Sequence, residues 1–386
     1  MKADQSKKNY NAHFPILHQA TFSPGTAPPL LLLAVLSLGA TLSADDTHFW
    51  AAQRIHENLR WLIFSSEAFQ PPAPLWCLQA LLCVQAFEKM FSSRQQHEMS
   101  HIFHGAIITL MRRGSSYSSD MSEESADMSS LEKAWHLWIE RESSIRAAFF
   151  AFVMDAQHAS LFGHVPALSV SDLRLPLPSS DALWEAPSAS RWKRERSRHD
   201  KDAPPFLQTL RALLGRRPLP SISPFARFVV LHGLFSITKY MQARELTSMD
   251  VDADRASGDG LAGPTELAAN GSWREVLDRA IETWSLSLIS REPALPLEAA
   301  RVLQRMAHIT VHVNIVDFHV FAGAPSLTGN RITQGEHTKA KEHIEAWAKG
   351  PIAKRTLSHC ILLIQETMFM RNRYRASKDN IALRPW

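Results

Sequence analysis

The residue pattern most suggestive of chemistry is a His-Glu-x-x-His motif that runs from His97 to His101, inside a stretch predicted to be helical. Two histidines four residues apart share one helix face and could hold zinc, with Glu98 as general base. A catalytic site needs a third ligand, which the extended motif supplies as a further histidine. Here His104 stands at the glycine position of that extension and Ile107 at its histidine position. We therefore interpret His97, Glu98 and His101 as helix-surface residues and predict no metal site.

Two further motifs resemble ligand-binding loops but lack residues that such loops require. Residues 258–263 match Gly-x-Gly-x-x-Gly, yet a polar Asp-rich stretch precedes them and Pro264 follows, where a dinucleotide site needs a strand and a helix. The start of a calcium loop is imitated by Asp250, Asp252 and Asp254. A calcium loop requires glycine at the position of Arg255 and a bidentate glutamate at the position of Leu261. We predict a flexible loop without either ligand.

The sequence also contains no Gly-x-Ser-x-Gly elbow and no phosphate-binding Gly-x-x-x-x-Gly-Lys-Ser/Thr loop. No catalytic residue is therefore predicted, and the sequence favours a protein that is not an enzyme. A polar pair, Asp155 and His158, is of more interest, because the two residues lie three apart on one face of a very apolar predicted helix. Polar groups inside a helix bundle need partners. The pair is either structural, which is the favoured interpretation, or lines a ligand cavity.

A short basic segment is a candidate for phosphate contact or nuclear import. Its five cations are Arg191, Lys193, Arg194, Arg196 and Arg198. Glu195 and Asp200 interrupt the cluster, which favours an ordinary solvated charged helix. The net charge of the whole chain is only +4, so any contact with nucleic acid would have to be local.

These side chains are positioned by apolar residues that recur at helical spacing, and the predicted fold class is all-α, a multi-helical bundle with long Pro- and Ser-rich connecting loops. The clearest period predicts a helix from about Leu131 to Leu161, stopped by Gly163. Glu142 and Arg146 are placed on its polar side as an exposed pair. Other helices are predicted at about 30–42, 75–113, 206–214, 225–246, 273–290, 297–321 and 338–369.

Composition bounds the setting in which this bundle works. The three cysteines of the chain, Cys77, Cys83 and Cys360, are too few and too scattered for a disulfide framework, which favours the cytosol or nucleus. The first residues lack the apolar stretch of a signal peptide. The apolar run at 30–42 is shorter than the roughly 20 residues that span a bilayer, so we predict a buried helix and no membrane association.

Several long segments, in order, carry a resemblance to a known family. They are HFPILH at 13–18, PLLLLAVLSLGA at 29–40, WHLWI at 135–139, FFAFVMDAQHASLFGH at 149–164, LRLPLPSSDALWEAPSASRW at 173–192, HITVHVNIVDFHVFAG at 308–323 and HIEAWAKGPIAKRTLSHCILL at 343–363. Together they resemble the fungal-specific transcription factor domain, the middle regulatory region of fungal zinc-finger regulators, in the variant found beside C2H2 fingers. Similar members carry a helix of the type R-x-x-H-E-x-x-x-I-F-H at 94–104, with no metal role implied.

The resemblance implies a division of the chain. Residues 1–12 form a polar tail and residues 13–386 the regulatory domain, with helical lobes at about 13–165 and 206–386 joined by a Pro-rich basic strap at 166–205. No cysteine spacing here suits a zinc-held DNA-reading module, so no cofactor is expected in this chain; zinc belongs to a module that it lacks. In the strap, Trp184 is expected to anchor an extended segment across the helices.

The function expected from the resemblance is a nuclear transcriptional regulator that acts with the transcription machinery, through a DNA-bound partner or as part of a larger chain. Control of one metabolic or biosynthetic gene cluster fits this role, and a homodimer is conceivable although no sustained heptads specify one. An alternative is a small-molecule-binding accessory protein or enzyme of a biosynthetic cluster that reuses the helical pocket. The third hypothesis is a zinc hydrolase built on His97 and His101.

Overall fold

The computed structural model of the chain describes residues 14–43, 45–114, 131–198, 203–255, 272–288, 295–327 and 330–374. These ranges confirm the all-α fold class. The first half contains α1 (Pro29–Ala40), α2 (Asp46–Phe64), α3 (Leu75–Phe91), α4 (Arg94–Arg113), α5 (Leu131–Phe162), a 3-10 turn (Val170–Asp172), α6 (Asp181–Trp184) and α7 (Ala189–Arg198). The second half contains α8 (Phe206–Leu214), α9 (Pro224–Arg255), α10 (Trp273–Leu286), α11 (Leu295–His312), α12 (Ile315–Phe321), β1 (Ser326–Leu327), β2 (Asn330–Arg331), α13 (Gln334–Lys349) and α14 (Pro351–Tyr374).

Two helices of 32 residues, α5 and α9, pack against each other and organise the bundle. On one side α5 contacts α3 and α4, and α3 packs on α1; on the other side α9 contacts α10 and α11, and α11 packs on α14. One continuous apolar core extends from Phe14 to Val311. It therefore includes residues of both predicted lobes. The two short strands pair antiparallel between α12 and α13.

The proline-rich segment after α5 is non-helical from 173 to 180, whereas Trp184, predicted to anchor an extended segment, lies in the short helix α6. Its alternate leucines Leu173, Leu175 and Leu177 are buried in the main core. The backbone of Leu177 donates to the carbonyl of Pro204, and that of Phe206 donates to the carbonyl of Leu175. Prolines cannot continue a helix, so this pairing satisfies backbone groups that helical bonds do not reach.

Several predicted helix boundaries differ from the structure. The run at 75–113 is two helices, because Ser93 caps α4 by accepting from the Gln96 amide. Asn314 similarly separates α11 from α12, and Gly350 followed by Pro351 separates α13 from α14. The calcium-like aspartates at 250–254 lie on helical backbone, since α9 continues to Arg255, whereas the Gly-x-Gly-x-x-Gly segment lies outside the described residues.

The prediction for the polar side of α5 was wrong. Arg146 and Glu142 are completely buried, not exposed, because the strap covers the face that periodicity assigns to solvent. The predicted stop of this helix is confirmed: Gly163 follows its last residue with φ of 73°, and a Cβ there would lie 2.4 Å from Val316 of α12. Within the described ranges, none of the helices combines the length and apolar character needed to cross a membrane.

Candidate functional site

The His-Glu-x-x-His motif lies at the start of α4, where its histidines meet the end of α5. The ring of His101 stacks on that of His164 with 4.1 Å between centroids and tilts against that of His158 at 3.9 Å. Its Nε2 lies 3.1 Å from Nε2 of His97. Phe162 contacts all four rings. We refer to these four histidines as the histidine cluster.

The histidine cluster is held by ring contacts of mixed geometry. The rings of His101 and His164 stack with 28° between their planes, whereas His97 meets His101 edge to face at 77° and His158 is tilted by 51° to His101. Nδ1 of His97 donates to the carbonyl of Lys89 at 3.3 Å, which leaves its Nε2 to accept from His101. Glu98 is exposed and accepts from Arg94 instead of facing the rings. In the described part of the chain, no three His, Cys, Asp or Glu side chains are placed to hold a metal ion.

Burial determines the charge of the histidine cluster. Desolvation lowers the pKa of each member, and for His101 desolvation and the neighbouring rings lower the pKa to about 3. Desolvation also lowers the pKa of the buried Lys89 well below its ordinary value. Uncharged imidazoles can stack where protonated ones would repel each other. His97 and His101 are half-buried, so they join two helices instead of lying fully on a surface.

Asp155 and His158 enter different interactions. The Asp155 carboxylate accepts from His104 Nε2 at 3.1 Å and from the backbone amides of Ala167 and Leu168 at 3.0 and 2.8 Å. The ring of His158 lies tilted against that of His101, and its Nε2 is buried without a hydrogen-bond partner among the described residues. Asp155 thus fixes the segment after Gly163, which carries His164.

The buried ion pair of α5 holds the strap. Arg146 donates from Nε to Glu142 at 2.7 Å and from its guanidinium to the carbonyl of Ser179 at 3.0 Å. The Ser179 amide and hydroxyl both donate to Glu142 at 2.9 Å. The guanidinium carbon lies 4.3 Å from the ring centroid of Trp184, which is buried as predicted. The pair is therefore a structural clamp.

The basic segment forms the helix α7, and two of its five cations are paired with a carboxylate. Ala189, Trp192 and Glu195 face inward, where the two apolar residues pack on Trp135 and Ile139 of α5. Glu195 pairs with Arg191 at 2.9 Å and with Arg198 at 3.4 Å. The remaining cations, Lys193, Arg194 and Arg196, are exposed. α7 is thus an amphipathic helix with a basic outer face.

A second buried polar group was missed from the sequence. Asp278 of α10 accepts from His308 at 3.0 Å and from His312 at 2.6 Å, and His359 of α14 stacks on His308 at 4.3 Å. Burial alone would raise the pKa of Asp278, but the two histidine hydrogen bonds hold it well below its ordinary value. The available signal was the spacing of His308 and His312, four apart on one helix face. The group joins three helices.

The described part of the chain is thus a helix bundle joined by buried polar contacts. Comparison with known proteins identifies its family. The fungal specific transcription factor domain matches residues 7–285, from before α1 to the end of α10. The chain belongs to this family of fungal regulators.

Similar proteins extend the likeness over nearly the whole chain. The zinc finger protein klf1 of Schizosaccharomyces pombe is 30% identical over 98% of this chain and 48% of its own length. The nicotinate catabolism cluster-specific transcription factor of Emericella nidulans is 31% identical over 93% of this chain and 43% of its own. The zinc finger protein zas1 of Schizosaccharomyces pombe is 27% identical over 98% of this chain and 42% of its own length. This chain spans less than half the length of these relatives. No solved structure matches it.

Proposed function

We propose that the chain is the regulatory domain of a nuclear transcriptional regulator that controls a defined set of genes, together with a DNA-bound partner or a DNA-binding segment. The observation that carries the proposal is the family match, which covers all the helices of the main core except α11. One relative is named for a nicotinate catabolism cluster, and this supports control of one metabolic or biosynthetic pathway.

The arrangement of side chains favours this role over the enzymatic alternatives. The proposed base of a zinc hydrolase, Glu98, is paired with Arg94 on the helix surface, and His101 is held in a ring stack. The cavity among α3, α4 and α5 measures about 10 Å³, which is room for about one water molecule, so no substrate fits between these three helices. Glu142, Arg146 and Asp155 of α5 are engaged in structural contacts. The exposed cations of α7 remain a predicted import signal or phosphate contact within this proposal.

The test is a transcript profile of a strain that lacks the gene, taken together with its small-molecule extract. We expect a group of transcripts to fall together and to recover when the intact gene is restored. A second sample from a strain that expresses His101→Gln should resemble the restored strain, because the proposal assigns no catalysis to this residue. Unchanged transcripts with accumulation of one metabolic intermediate would reject the regulator and favour the enzyme.

A further inference from the structure

An open groove of about 660 Å³ lies between α1 and α2. The segment between Leu17 and Pro24 forms one side, and α1 and α2 form the others. Its floor contains Leu42 and Ala52, which are buried in the main core. The lining is largely apolar, and its volume lies within the roughly 300–1,000 Å³ typical of small-molecule sites.

Small residues on the facing helices keep the groove open. Gly39 and Ala40 line it from α1, and Ala51 and Ala52 from α2. A Cβ added at Gly39 would meet no atom within 4 Å. No close backbone approach requires glycine at this position. Because Gly39 lines the groove, the open space beside it is part of the groove.

One part of the lining is polar, and its charge restricts the ligand. The hydroxyl of Ser43 lies 2.7 Å from Nδ1 of His48, and both residues line the groove. Nε2 of His48 lies 4.0 Å from the Asp45 carboxylate, which also accepts from the amide and hydroxyl of Thr47. A carboxylate so close opposes an anionic ligand. A neutral group able to hydrogen-bond Ser43 or His48 suits this end.

The dimensions favour a small molecule over a partner helix. Three walls and a floor enclose more of a compact ligand than of a rod lying on a surface.

We propose that this groove binds a small, uncharged, largely apolar molecule that carries a hydrogen-bonding group. Its regulatory meaning rests on the proposed function, since such a ligand would signal to the domain through α1, which packs on both α2 and α3. Binding itself does not depend on the proposed function.

The probe is Nile red, an uncharged apolar dye with a carbonyl group, titrated into the full chain and followed by fluorescence. Gly39→Leu should fill the groove and weaken dye binding at least tenfold. Gly105→Leu is the matched control, because Gly105 also lies in a helix, on α4, and a Cβ there meets no atom within 4 Å. This variant should bind the dye like the natural chain.

Ala51→Leu tests the opposite wall and should weaken binding in the same way, and thermal unfolding of each variant confirms that it is folded. Saturable binding that both groove variants reduce, and Gly105→Leu does not, supports the proposal. The proposal is overturned if the dye does not bind saturably, or if folded groove variants bind it with unchanged affinity. Because transcripts are not read in this assay, its failure would leave the proposed function standing.

Discussion

At the scale of single residues, Arg146 shows how a buried charge is used in this bundle. An ion pair inside a protein loses the solvation of both charges, and only close geometry with further hydrogen bonds offsets that loss. Arg146 has Glu142 of the same helix, the Ser179 carbonyl and the Trp184 ring around it, and the last two contacts connect α5 to the strap. The pair therefore positions a segment that has few helical hydrogen bonds of its own.

Replacing Arg146 with methionine should cost about 3–5 kcal/mol of unfolding free energy, because Glu142 would remain as a buried charge without its partner. Urea unfolding followed by far-UV circular dichroism measures this loss. Arg54→Met is the matched control: Arg54 pairs with Glu57 at 3.0 Å but is 80% exposed, so its loss should cost less than about 1 kcal/mol. In the Arg146→Met background, Glu142→Gln should recover part of the stability. Equal small effects of the two arginine variants would show that the clamp contributes little.

At the scale of elements, Asp155 joins two helices and a loop. It lies on α5, accepts from His104 on α4, and accepts from the amides of Ala167 and Leu168 that follow. Two backbone donors and one ring donor on one carboxylate fix the path of the chain as it leaves α5.

Asp155→Ala should release this loop while the distant helices stay folded. The amides of Ala167 and Leu168 lose their acceptor, so their hydrogen exchange should become at least tenfold faster. Exchange measured by mass spectrometry on peptides covering 163–170 reports this change. A peptide from α10 serves as an internal control and should exchange as before. Unchanged protection at 163–170 would mean that packing alone holds the loop.

The elements also show what the sequence can predict. The ends of α5 and α8 were predicted within one or two residues, because apolar periodicity, a glycine stop and flanking prolines agree there. Breaks at Ser93 and Gly350 were missed because apolar spacing continues across them. α2 was missed because its apolar spacing is irregular: His56 and Arg60 are among its buried residues, while Trp61 is exposed. The burial of Arg146 and the partners of Asp155 depend on a strap and a loop folding back, which local spacing does not record.

At the scale of the whole molecule, the structure buries histidines as neutral rings. Burial lowers the pKa of His18 and of His232 to about 4 in each case. His232 is satisfied in its neutral form: Nδ1 donates to the Phe228 carbonyl at 2.7 Å, and Nε2 accepts from Gln157 at 3.1 Å. The histidine cluster has the same direction of shift. Unfolding exposes all these rings to water, so the molecule should be sensitive to mild acid.

This sensitivity has a defined pH window. A free histidine has a pKa of about 6.5, so above that value neither the folded nor the unfolded ring binds a proton. Below pH 6.5 the histidine binds a proton in the unfolded chain but not in the folded chain. The free energy of unfolding therefore falls as the pH decreases toward the folded pKa of about 4. For each fully buried ring, the free energy of unfolding should fall by about 1.4 kcal/mol when the pH is lowered from 7.5 to 5.5.

His232→Asn tests this window, because its amide can still donate to the Phe228 carbonyl but does not titrate. Urea unfolding at pH 7.5 and pH 5.5 should show a difference in free energy smaller by about 1.4 kcal/mol than in the natural chain. His48→Asn is the control: its side chain is 62% exposed, and its substitution should leave the difference unchanged. The low pKa of Asp278 affects stability only at lower pH, so it does not contribute between these two values. An unchanged pH difference in His232→Asn would show that the folded protein can protonate this ring, and that the acid sensitivity has another origin.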